Sequence, residues 1–187
     1  MERRTFWKFL SGIPFFFGVT QRTMAAQAAS MKDVEELQKN WKSLLADGAD
    51  VAASAAPLNR LNAEWKKLLP PAAYDVLREE GTERAGTSPL NAEKRPGVFA
   101  CAGCSLPLFT SAMKYESGTG WPSFFTAIPG AFGIKTDHKI LYPRTEYHCA
   151  RCGGHHGHLF DDGPPPTGKR YCNNGVALRF IPKVAKT

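Results

Sequence analysis

The sequence predicts a mainly β protein whose sheets are antiparallel and whose few helices are short and gathered toward the N-terminal end. Three observations carry this. Beyond residue 95 the apolar residues fall in short runs, cut at close intervals by glycine and proline. Gly and Pro number 17 and 14, a supply suited to many turns. Helical spacing of apolar side chains occurs only before Gly81. The 187 residues allow one domain with short appendages, and at 43% apolar and 22% charged a core can be buried without many crosslinks.

Residues 1–28 read as an export address. Arg3 and Arg4, then Phe6 and Lys8, precede an apolar stretch from Phe9 to Val19 that is too short to span a bilayer comfortably and contains Pro14. Ala26-Gln27-Ala28 then offers the small-x-small pattern that a signal peptidase cuts, which predicts cleavage after Ala28. The basic start, modest hydrophobicity and paired arginines resemble a bacterial twin-arginine signal, implying a periplasmic protein that meets the membrane only during export. An uncleaved anchor and an ordinary secretory signal are the alternatives.

Residues 29–57 read as a helical extension and linker. Val34, Leu37, Trp41, Leu44 and Leu45 form one helical stripe between Met31 and Ala46, with Ser30 placed to cap it. Residues 46–57 lack large apolar side chains and suit a linker. The main domain is assigned to 58–187. It opens with a short helix from Asn62, carrying Trp65, Leu68 and Leu69 and stopping at Pro70-Pro71. A second starts there, since proline fits a first helical turn, and ends at Gly81. The predicted strands are Val98–Ala100, Leu106–Thr110, Phe124–Ile128, Ile140–Cys149, His158–Asp161 and Ala177–Ile181.

The formal net charge is +7, but residues 1–28 contribute +3 of it. The remaining bases are interspersed with acids rather than clustered, so no nucleic-acid partner is expected.

Of the five cysteines, four form two C-x-x-C units, Cys101 with Cys104 and Cys149 with Cys152. Each unit can place two thiolates on one metal at a turn, and two turns complete a tetrahedral shell suited to one structural Zn²⁺. The alternative is disulfides. A C-x-x-C disulfide closes only a tiny loop and serves redox exchange more than stability. The fifth, Cys172, follows Arg170-Tyr171 and precedes Asn173-Asn174, on a strand or at its entry. A neighbouring guanidinium favours thiolate, the nucleophilic form. A small buried core residue is the competing reading.

His155 and His158 follow directly on the second cysteine pair, with Gly157 between them able to turn the backbone. Such imidazoles can deliver a proton or bind a polar oxygen. They can equally be extra metal ligands or face solvent. Ser117-Gly118-Thr119-Gly120-Trp121 can fix an indole as a pocket wall, or can be a turn before a core tryptophan.

The stretches VLREEGTERAGTSPLN, GVFACAGCSLPLF, KYESGTGWPSF and EYHCARCGGHHGHLFDDGPPPTGKRYCNNGVALRF resemble the methionine-R-sulfoxide reductases. They recur in family order over about residues 60–182, and DDGPPPTGKRYCNN is the most specific of them. The resemblance implies two antiparallel sheets forming a β-tent, with zinc on Cys101, Cys104, Cys149 and Cys152 away from the active site. It implies reduction of the R epimer of methionine sulfoxide, in oxidised proteins or as the free amino acid. Cys172 would attack the sulfoxide sulfur and become a sulfenic acid. Trp121 would enclose the substrate methyl group, His155 and His158 would bind or protonate the sulfoxide oxygen, and Asn174 and Arg170 would position and activate.

The sequence departs from the family pattern at several points. Thr119 stands where many relatives have a resolving cysteine, so a thioredoxin-like or other thiol reductant must clear Cys172 directly. His156 and Asn173 stand where aliphatic residues are usual, Lys169 where Leu is frequent, and Gly175 where Ser is frequent. Two other classes compete. A non-enzymatic zinc module leaves Cys172 beside Arg170 unexplained, and a thiol–disulfide oxidoreductase would need one C-x-x-C free of metal.

Overall fold

The computed structural model describes residues 30–138 and 142–183; the predicted export address and the predicted strand start at Ile140 lie outside the described residues. Ser30 caps α1 (Met31–Lys39) as its position suggests, accepting from the Asp33 N–H at 3.3 Å. The helix does not continue to Ala46. Asn40, a residue that competes with helical hydrogen bonding, ends it, and one 3₁₀ turn, Trp41–Leu44, follows. α1 lays Val34 on Phe125, flanked by Leu37 and Tyr115, and Gln38 donates to Thr126 Oγ1 at 2.8 Å.

Residues 46–57 carry neither helix nor strand, yet they are fastened to the domain. The Ala52 N–H donates to the Ser105 carbonyl at 2.9 Å and the Leu58 N–H to the Arg151 carbonyl at 2.6 Å. Arg151 Nη1 returns a bond to the Ser54 carbonyl at 3.0 Å. The segment is a strap across both cysteine turns rather than a free linker.

α2 (Asn62–Leu68) and α3 (Pro71–Glu79) follow as the two prolines predict. Trp65 from α2 and Val76 and Leu77 from α3 are each 2% exposed. Glu80 takes the left-handed conformation that ends α3. Gly81 is needed for another reason, because a Cβ there would meet the Asp75 carboxylate at 2.0 Å.

Nine antiparallel strands follow among the described residues. They are β1 (Gly97–Cys101), β2 (Pro107–Thr110), β3 (Lys114–Tyr115), β4 (Ser123–Phe124), β5 (Phe132–Asp137), β6 (Arg144–Cys149), β7 (His155–Phe160), β8 (Arg170–Asn173) and β9 (Leu178–Pro182). They make a three-stranded sheet, β2-β1-β9, and a six-stranded sheet, β3-β4-β8-β7-β6-β5. The mainly β class with two antiparallel sheets is therefore correct, while β3, β5 and β8 add strands that apolar runs did not mark. The predicted strand Phe124–Ile128 shrinks to its start. Its backbone then turns, with the Phe125 N–H donating to the Met113 carbonyl at 3.0 Å and the Ile128 N–H to the Leu108 carbonyl at 2.9 Å.

Aromatic rings fill the space between the sheets. Phe109 and Phe124 stack at 3.9 Å, Phe99 meets Phe124 edge-on at 5.1 Å, and Phe132 meets Tyr147 edge-on at 4.8 Å. Each such ring removed from water contributes about 1.5–3 kcal/mol. The result is a rigid floor under β8 and β7.

Candidate active site and metal centre

Both C-x-x-C units sit at turns that follow strand ends, Cys101 closing β1 and Cys149 closing β6. The four sulfurs lie within 4.8 Å of one another, with Cys101 3.7 Å from Cys152 and Cys104 3.5 Å from Cys149. A disulfide needs about 2.05 Å. A tetrahedral shell with metal–sulfur bonds of about 2.3 Å places its sulfurs roughly 3.8 Å apart. The spacing therefore fits four ligands around one ion, and these four cysteines can hold a metal. Their crowding also makes them unequal as thiols. Hydrogen bonding to Cys104 pushes Cys101 well up, and hydrogen bonding to Cys101 pulls Cys152 down.

The second constellation lies on one face of the large sheet. Cys172 on β8 stands opposite His158 on β7, which stands opposite Glu146 on β6; Ser123 on β4 flanks Cys172 from the other side. Directly opposed side chains in such a ladder are immediate neighbours. His155 would point away under strict alternation. The register shifts between Tyr147 and His148, and Gly157 adopts φ 156°, where its own Cβ would strike the Cys172 carbonyl at 2.0 Å. That bulge brings the His155 and His158 rings to 5.5 Å.

A pocket of about 130 Å³ opens over Cys172 and is lined also by Thr82, Trp121, Arg144, His158, Phe160 and Asn174. Trp121 is fixed because its indole N–H donates to the Glu83 carbonyl at 3.1 Å. Asn174 is fixed from two sides. Its Nδ2 donates to the His156 carbonyl at 3.0 Å, and its Oδ1 accepts from the Glu83 N–H at 2.9 Å. Cys172, Trp121, His158 and Asn174 thus meet at the pocket. His155 and Arg170 stand behind it. His155 lies with Nδ1 3.1 Å from the buried Glu146 carboxylate, at an angle that makes no hydrogen bond. Arg170 is clamped by Asp162 at 2.7 and 2.8 Å and lies over the Phe160 ring at 4.3 Å.

The charge states differ from the simple expectation at one point. Arg170 and the Thr119 hydroxyl do favour the Cys172 thiolate, but burial outweighs them and pushes the thiol above its ordinary range. At rest Cys172 is a thiol. Burial likewise pushes the His158 imidazole below its usual value, against the pull of Asp137. Its Nε2 lies 2.8 Å from Asp137 Oδ2, and Asp137 also receives Arg144 Nη2 at 2.6 Å. A carboxylate can only accept, so Nε2 carries the proton and Nδ1 presents a lone pair.

Sequence reasoning missed Glu83. Its carbonyl and N–H serve Trp121 and Asn174, and its carboxylate receives the Gly175 N–H and, at 3.1 Å, the Val176 N–H. It also missed the Asp137–Arg144 pair that orients His158. The only signal for Glu83 was its place in the stretch VLREEGTERAGTSPLN.

A family model described as the SelR domain matches residues 69–182. Peptide methionine sulfoxide reductase MsrB of Methanosarcina barkeri is 52% identical over 118 residues, covering 63% of this chain and 83% of the relative. The protein of the same description from Agrobacterium fabrum is 48% identical over 126 residues, covering 67% and 93%. Chloroplastic peptide methionine sulfoxide reductase B1 of Arabidopsis thaliana is 42% identical over 161 residues, covering 84% and 72%. An alignment of that last length reaches into the residues that precede the matched domain.

Proposed function

The chain belongs to the SelR-domain family, the peptide-methionine (R)-S-oxide reductases, and from that premise we propose that Cys172 is its nucleophile in a one-cysteine cycle. The observation that carries this reading is the pocket in which Cys172 and His158 oppose one another across the ladder, with Trp121 and Asn174 completing the walls.

The methionine side chain enters with its methyl group against Trp121. His158 Nδ1 takes the Cys172 proton as the sulfur attacks, and the resulting imidazolium, balanced by Asp137, returns that proton to the departing oxygen. The sulfur–oxygen bond of the substrate breaks as a sulfur–oxygen bond forms on Cys172. The products are methionine and a protonated sulfenic acid, so no external proton is consumed. Asn174 orients the substrate, and Arg170, held by Asp162, biases the thiol toward its reactive form. His155 supports His158 from behind.

Thr119 stands where many relatives have a resolving thiol, and its hydroxyl favours the Cys172 thiolate. Two external thiols then reduce the sulfenic acid to thiol and water, leaving as a disulfide. Cys101, Cys104, Cys149 and Cys152 would hold a zinc ion that supplies structure rather than chemistry, since four thiolates would leave it no open position. Residues 1–28 support export to the periplasm through their paired arginines and Ala26-Gln27-Ala28.

The test is to incubate the chain with dithiothreitol and each sulfoxide epimer of a methionine-containing peptide and of the free amino acid. Methionine formed from the R epimer alone is expected. Equal turnover of the S epimer would break the assignment. Intact mass of the exported protein beginning at Ala29 is expected, and a retained Met1 would contradict cleavage.

A further inference from the structure

The sequence places polar residues, His156 and Asn173, immediately around the nucleophile, at 0% exposure each. They are not isolated. Tyr147, also at 0% exposure, stands opposite Gly157 on β7, and Gly157 stands opposite Asn173 on β8. Glycine has no side chain to fill that middle position, so the tyrosine can reach across it, and its hydroxyl donates to Asn173 Oδ1 at 3.0 Å. The other end of the same amide donates to the Asn174 carbonyl at 2.6 Å.

We propose that Tyr147 is a positioning residue for the reaction, fixing through the Asn173 amide the segment Cys172–Asn174 that carries the nucleophile and the substrate-orienting asparagine. The proposal rests on the roles given above to Cys172 and Asn174. An amide with both ends bonded has one orientation. The Asn173 N–H is spent on the Pro122 carbonyl at 2.9 Å, next to Trp121, and it is the Asn173 side chain that links this segment to β6. Burial keeps the Tyr147 hydroxyl protonated and therefore a donor.

His156 makes the arrangement sensitive. Its ring is stacked on Tyr147 and meets Phe132 edge-on, and neither ring nitrogen has a hydrogen-bond partner. Without the tyrosine hydroxyl, Asn173 Oδ1 becomes a buried orphan beside another unpaired polar group. Rotation of the amide toward His156 then satisfies the orphan only by releasing the Asn174 carbonyl. Tyr147 selects one of two arrangements, and the selected one holds Asn174 in the pocket.

The experiment is a double-mutant cycle on Tyr147→Phe and Asn173→Val, read in kcat and KM for the R epimer together with amide hydrogen exchange. Each single change is expected to lower kcat/KM about tenfold, and the double variant to be no worse than the poorer single. Independent effects that multiply would overturn the pairing. In Tyr147→Phe the Asn173 and Asn174 amides are expected to lose about tenfold in protection while those of β1 keep theirs. An equal loss in β1 and β8 means only lowered global stability and overturns the positioning role. Tyr147→Phe removes a single oxygen and decides the exchange arm if Asn173→Val does not fold. The exchange needs no turnover, so an unmodified chain inactive on both epimers would refute the reaction and leave the positioning claim to be judged by exchange.

Discussion

The five cysteines divide into two regions that differ in nearly every physical respect. Four sulfurs crowd within 4.8 Å at turns after strand ends, strapped from outside by residues 46–58. The fifth stands within a central strand with no sulfur partner, half-buried in a pocket, facing an imidazole. The first arrangement can hold a metal that would saturate its sulfurs, whereas the second leaves its sulfur open to a pocket. On the mechanism proposed above, reactivity follows from what surrounds a thiol and not from how acidic it is. Burial leaves Cys172 less acidic than an ordinary cysteine, and in the proposed mechanism the imidazole opposite takes its proton.

The bluntest way to break the comparison is to interchange the consequences of losing a sulfur. Cys172→Ser is expected to lower turnover at least about a thousandfold while metal content and melting temperature stay unchanged. Appreciable activity in that variant would move the nucleophile elsewhere. Cys101→Ser or Cys149→Ser is expected to release the metal and cost several kcal/mol, on the order of 3, seen as a lowered denaturation midpoint. A variant of either that stays as stable as the parent would make the cluster incidental.

A finer test concerns acidity. Because the Cys172 thiol sits above its ordinary range, its alkylation in the metal-loaded protein should still be rising steeply at pH 8. A plateau below pH 8 would mean a resting thiolate. Glu83→Gln tests the loop that joins the two pocket walls. Weakening its charged bonds to the Gly175 and Val176 amides is expected to cost about 1.5–3 kcal/mol and to raise KM more than it lowers kcat. An unchanged KM would separate the loop from the pocket. The smallest effect expected is from Thr119→Cys, which should leave the rate with dithiothreitol within about threefold and trap a disulfide with Cys172 after one turnover. Peptide mapping that finds no such bond would show that Thr119 does not mark the resolving position.

Much of this was legible because it is local. A C-x-x-C needs only its own turn, and the helices at 62–81 announce themselves through prolines and a repeating apolar face. Gly157 between the two histidines marked the bulge that turns His155 toward His158. What escaped the sequence depends on distant partners. β8 reads as Arg-Tyr-Cys-Asn, polar and short; its place around Cys172 was legible but its extent and partners were not. It is a strand because β4 and β7 lie ready on both sides. β5 is an edge strand with its middle exposed, so it lacks a buried stripe. Glu83 acts as much through backbone atoms, which carry no residue signature, as through its carboxylate. That residues 46–57 are fastened to the domain was not legible for a related reason, since main-chain hydrogen bonds hold them and a stretch rich in alanine can make those as well as any other.

The strap also imposes an order on assembly. Its anchors are the carbonyls of Ser105 and Arg151, and the Arg179 guanidinium reaches the Asp50 carbonyl and Ser105 Oγ. A segment made early in synthesis therefore finds its first anchor at mid-chain and the others only once Arg151 and Arg179 have been made. Its closure is a mark of completion, and a protease that cuts between residues 46 and 58 would report how many molecules had finished folding.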